Sequence, residues 1–192
     1  MLSTAFIAQF EAQIQELSAT VAQQLQPLPS HQLNYKPTPT GWSVLECLEH
    51  LNRYSRFYNA ELAQALSGRR AELAAHEVGF SWLGRKSYDT VKPENRKPQK
   101  TIKHMNPAGS QFTLAVVEEF LRHQAQLLEL LAAARTADLN RKAVRVEFFR
   151  LLKLRLGEAM LFVVAHEQRH VQQALRAAQA AQNREKEALL VV

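Results

Sequence analysis

The chain has 192 residues, 46% of them hydrophobic and 22% charged, ordinary values for one globular domain with a core of its own. A single cysteine, Cys47, excludes an intrachain disulfide and a cysteine-rich zinc module. The net charge of +6 is uneven: residues 67–110 hold nine basic against four acidic side chains, and residues 1–66 hold three against five. The excess therefore describes one connecting segment more than a polyanion-binding face.

All seven prolines fall in two windows, 27–39 and 93–107, which leaves 1–26, 40–92 and 108–192 free to form long helices. Phe6, Phe10, Ile14, Leu17, Val21, Leu25 and Leu28 recur every three or four residues, the stripe of an amphipathic first helix that Pro27 and Pro29 end. A turn-rich linker leads to Gly41. Ser43 and Glu46 match a capping box that opens a second helix, whose stripe is Val44, Leu48, Leu51, Tyr58, Leu62 and Leu66, with Gly68 as its closing residue.

Residues 67–110 read as an irregular crossover with room for a short helix at 69–76. Phe80, Trp82 and Tyr88 are expected to pack over the bundle end, beside the basic residues of the 85–103 stretch. That stretch contains no recognisable nucleic-acid module, so nucleic acid is not the expected partner. A third helix is predicted over about 113–135, with Val117, Phe120, Leu121, Leu127, Leu128 and Leu131 inward. A fourth is predicted over about 154–181. Residues 145–152 fit either a short helix or an extended approach, and no strand periodicity stands out.

The fold expected is an all-α four-helix bundle in one domain, 1–182, with a frayed tail over 183–192. The long crossover implies that the second and third helices run parallel. The N-terminus lacks a basic lead-in. The apolar run Ala159–Ala165 is far shorter than the roughly 20 residues of a spanning helix. The expectation is a cytoplasmic protein with no membrane partner.

Two constellations carry chemistry. His166 and His170, spaced i and i+4, lie about 40° apart on a helix and can reach one ion. Both sit on the flank of that helix's apolar arc, and His50 holds a corresponding flank position on the second helix. Each histidine alone also fits a hydrogen-bonded core or surface residue. Together they match a three-histidine catalytic metal site with a position left for water or substrate.

The string His166-Glu167-Gln168-Arg169-His170 also satisfies the zinc-protease signature. The only acids downstream, Glu185 and Glu187, fall in the tail, and no mixed α/β context is visible. Cys47, one turn before His50, fits a small buried hydrophobe better than an extra ligand.

Gly41-Trp42-Ser43, Glu46 and His50-Leu51 at a helix start resemble the second-helix signature of the DinB/YfiT-like metalloenzymes. Ala165 through His170, followed by Gln172, Gln173 and Arg176, resembles that family's last-helix motif, and Asn106-Pro107 and Glu119-Phe120-Leu121 fit between them. The resemblance covers about residues 5–180. It implies an up-down-down-up bundle and a divalent metal, zinc or nickel among others, on His50, His166 and His170. It further implies a small-molecule substrate, with thiol-dependent S-transferases, which use a low-molecular-weight thiol, and a maleylpyruvate isomerase among active members. Many members have no known activity, so a metal-binding bundle without turnover stays open. Arg169 is the cation expected to meet a thiol cofactor's carboxylate. The resemblance favours a homodimer, which the sequence itself does not fix, and carries no DNA role.

Overall fold

The four proline-poor amphipathic segments form four long helices. The computed structural model describes residues 1–67, 73–95, 97 and 99–190. Helix α1, Ser3–Thr20, buries Phe6, Phe10, Ile14 and Leu17 as the stripe predicts. It ends in a π turn over Val21–Leu25, where the Gln26 N–H donates to the Val21 carbonyl at 2.9 Å. The wider turn keeps both Val21 and Leu25 in the core before the prolines stop the chain. Helix α2, Ser30–Leu33, is a single turn inside the linker.

Helix α3, Val44–Leu66, opens on the predicted capping box. The Glu46 N–H donates to Ser43 Oγ at 3.2 Å, and the Ser43 N–H donates to Glu46 Oε2 at 2.9 Å. The fully buried Glu46 also accepts from the Gly109 N–H at 2.7 Å and pairs with Lys36 at 2.8 Å. One carboxylate thus fixes the start of α3 to both neighbouring loops, which compensates its burial. Gly68 and residues 69–72 lie outside the described residues, and 73–76 are not helical.

The crossover is more ordered than its composition suggests. Helix α4, Trp82–Val91, is capped by Ser81, whose Oγ accepts from the Gly84 N–H at 3.1 Å. Gly84 lowers helix propensity, which hides α4 from a sequence reading. Its missing side chain is also what lets α4 approach the last helix, because a Cβ there would stand 2.3 Å from Glu158 Cδ. Phe80 and Leu83 pack against the core, whereas Trp82 does not cover the bundle end and is 77% exposed.

Helix α5 spans Ala115–Ala133. The chain then departs from the all-helical expectation. Strands β1, Lys142–Val146, and β2, Phe149–Arg155, form an antiparallel hairpin. The ladder pairs Val146 with Phe149 and Arg145 with Lys153, so Arg150, Leu151 and Leu152 bulge out of register. Phe148, Phe149, Leu151 and Leu152 are all exposed, and only Leu154 of β2 is buried. With one face never hidden, no period-2 pattern is written into β2.

Helix α6, Leu156–Leu190, follows directly and runs past residue 182, where fraying was expected. Glu185, in that extension, receives hydrogen bonds from His31 and Gln32 of α2. Helix α3 packs against α5 and α6, and α1 packs against the same two, which encloses Ile7, Leu48, Phe120, Leu127 and Met160. The result is a mostly helical bundle with a small two-stranded sheet, in which α3 and α6 present their flanks to each other.

Candidate metal centre

His50 sits in the second turn of α3, and His166 and His170 stand one turn apart on α6. The packing of α3 on α6 brings all three together. One ring nitrogen from each lies within 4.8 Å of the others, and the residues are 3%, 6% and 9% exposed. The closest approach is 3.2 Å, between Nε2 of His50 and Nε2 of His166. Burial pushes the His50 imidazolium down to about 4 and those of His166 and His170 well below the usual value. The set is therefore neutral near pH 7, the protonation state that ligates metals.

The hydrogen bonds on the far sides of two rings show which way the lone pairs point. His50 Nδ1 lies 2.8 Å from the Met105 carbonyl, which can only accept. Nδ1 therefore carries the proton, and Nε2 is left as a lone pair facing the cluster. His170 Nδ1 lies 2.9 Å from Gln173 Oε1, a contact that fits the same tautomer. Such outer hydrogen bonds are what orient histidine ligands. Two nitrogens at about 2.0–2.1 Å from a tetrahedral ion stand about 3.3–3.4 Å apart. The spacing of His50 and His166 matches that edge, so the donor set fits a divalent metal.

Aromatic rings hold the imidazoles from outside. Trp42 stacks on His170 with centroids 5.6 Å apart, and its centroid is 4.8 Å from that of His50. Tyr54 packs edge-on to His166 at 4.5 Å, and Phe162 flanks the same ring. The three histidines line a cavity of about 830 Å³, whose walls include Trp42, Tyr54, Phe162 and the 99–102 stretch of the crossover. A ligand bound to the histidines thus faces space large enough for a small molecule.

Neighbouring residues sort clearly. Cys47 is fully buried, burial pushes its thiol pKa up, and it is not part of the three-histidine group. Glu167 turns toward α5, where its Oε1 accepts from Gln124 at 3.0 Å; burial raises its pKa to about 8. Arg169 lines the cavity, but its guanidinium donates to backbone carbonyls of Lys92, Asn95 and Lys97 and so holds the crossover in place. Tyr58 is core, 1% exposed, and stacks on Tyr54.

Sequence reasoning gave no role to the residues behind the ligands. Gln173 was named only as part of the last-helix motif, although its place three positions after His170 puts it within reach by helical spacing. The Met105 contribution is a backbone carbonyl and leaves no trace in residue type.

A search of curated proteins gives no significant match. Among solved structures, the chain is similar to YfiT from Bacillus subtilis, described as a probable metal-dependent hydrolase with an unusual four-helix bundle topology. The TM-score is 0.51 at 16% identity, over 90% of this chain and 86% of that one, a likeness of fold. The family model of the DinB superfamily matches residues 9–174, a span that contains all three histidines. The chain belongs to the DinB superfamily.

Proposed function

We propose that His50, His166 and His170 hold one divalent metal, zinc or nickel, and that the protein is a metal-dependent enzyme acting on a small molecule. The observation that carries this is the convergence of three neutral imidazoles, one with its tautomer fixed by a backbone carbonyl, on one wall of a roomy cavity. Such a metal, when bound, supplies Lewis acidity and lowers the pKa of a water or thiol to near neutrality. The chain's own residues do the rest. Met105 and Gln173 keep the Nε2 lone pairs aimed inward. Trp42, Tyr54 and Phe162 exclude water from the ligands' flanks and offer an apolar wall to the substrate's hydrocarbon part.

Hydrolysis is the first reading, since YfiT, similar in fold, is described as a hydrolase. Thiol S-transfer is the second. Arg169 favours it, because it keeps a positive charge at the wall where a thiol cofactor's carboxylate would be met. Sealed histidines would favour a non-catalytic bundle, and the adjoining cavity favours the enzyme reading instead. The up-down-down-up course of α1, α3, α5 and α6 belongs to the same reading and rests on the length of the crossover between α3 and α5.

The test is metal analysis after purification and after reconstitution with zinc or nickel. About one equivalent is expected for the native protein and none for His166→Ala. A native protein that takes up no divalent ion would sink the proposal.

A further inference from the structure

The Met105 carbonyl decides the tautomer of His50, yet it belongs to a short 3₁₀ turn, Lys103–Met105, in an irregular part of the crossover. No strand pairing places that turn. Its backbone is gripped instead by Arg53, one turn after His50 on α3. Arg53 Nη1 donates to the His104 carbonyl at 3.1 Å and to the Asn106 carbonyl at 3.0 Å. These are the two carbonyls on either side of the one that receives His50.

The guanidinium is itself fixed. Arg53 Nε donates to Glu49 Oε1 at 2.8 Å, and Glu49 is only 7% exposed. Arg56 holds the same carboxylate at 3.2 Å and is in turn paired with Glu119 of α5 at 2.7 Å. A chain of charge-assisted bonds thus runs from α5 through α3 to the turn.

The competing arrangement is close at hand. If the Met105 carbonyl moved out of reach, His50 would satisfy itself by carrying its proton on Nε2 and donating to His166 Nε2, already 3.2 Å away. That switch takes the inward lone pair away from His50 Nε2. The 3.2 Å contact is a hydrogen bond in either case, donated by His166 while His50 carries its proton on Nδ1 and by His50 after the switch, and only the first keeps the His50 Nε2 lone pair facing the cluster.

We propose that Arg53 is the positioning residue that selects between the two tautomers of His50, by bracketing the Met105 carbonyl. The proposal rests on the reading of the three histidines as metal ligands, but its first readout needs no metal.

The experiment uses the full chain. Long-range ¹H–¹⁵N correlation spectra of histidine-labelled, metal-free protein report the tautomer of each imidazole, with His50 assigned from His50→Gln. The native protein is expected to show the Nδ1–H form. Arg53→Met, which keeps the aliphatic stem, is expected to move His50 toward the Nε2–H form and to weaken zinc binding about 10- to 100-fold. Arg53→Lys, which still offers donors to the turn, is expected to restore the native tautomer and to keep zinc affinity within a few-fold. Arg145→Met is the control, since it loses the ion pair to Glu61 of α3 without touching Glu49 or the turn, and should leave tautomer and affinity unchanged.

Native tautomer and affinity in Arg53→Met would overturn the proposal. So would an equal effect from Arg145→Met, which would reduce Arg53 to general stability. A native protein that shows the tautomer pattern but binds no zinc would refute the metal reading and leave the positioning result standing.

Discussion

Nε2 of His50 lies 3.2 Å from Nε2 of His166, although 116 positions separate the two residues in the chain. One sits on α3 and the other on α6, so whatever joins the two nitrogens also ties the two helices together.

A bound metal should therefore stabilise the fold. At free zinc about 100 times the dissociation constant, linkage gives about 2.7 kcal/mol. For a chain of this size that raises Tm by about 5–10 °C. Calorimetry with and without zinc checks this, and His50→Ala should abolish the zinc-dependent shift.

The capping box makes a local prediction. Ser43→Ala removes the acceptor for the Glu46 N–H at the start of α3. The cost is expected at about 1 kcal/mol by urea unfolding, whereas Ser43→Gly should cost only a few tenths.

Gly84→Ala tests the contact between α4 and α6. The new Cβ would meet Glu158, whose carboxylate accepts from the backbone N–H groups of Ser81 and Arg155. Glu158 is 2% exposed and has nowhere else to be solvated. Displacing it should destabilise the protein by about 1–3 kcal/mol, read as a lower urea midpoint with unchanged slope.

Acid sensitivity should follow Glu61. Hydrogen bonds from Arg145 hold the Glu61 carboxyl below its ordinary value of 4.5. The unfolded chain therefore binds this proton more readily than the folded one. The pair's contribution is fully present above the ordinary value and is lost as pH falls through the lower, folded value. Urea midpoints measured from neutral pH into the acid range should fall less steeply in Glu61→Gln than in the native chain.

What could be read in advance follows from where each structure stores its information. The α1 and α3 stripes, the Ser43–Glu46 box and the three histidines are properties of side-chain spacing, and they were legible. The π turn at Val21–Leu25 was not, because both residues stay buried and the stripe continues through it. Helix α4 was masked by Gly84, and the hairpin by six successive exposed residues from Phe148 to Lys153. The support of His50 was invisible for another reason: it consists of a backbone carbonyl in a remote turn and an arginine that touches only the backbone beside it.

That hairpin has a consequence for the protein in concentrated solution. Its sheet contains two strands among the described residues, so β2 presents a strand edge next to Phe149, Leu151 and Leu152. Uncharged, such a row would be a template for stacking one molecule on the next. Arg150 and Lys153 bracket Leu151 and Leu152. They act as gatekeepers, whose charges must be desolvated or brought near their own copies before two edges can join. The cations that break the strand's apolar pattern also raise the cost of joining one edge to another.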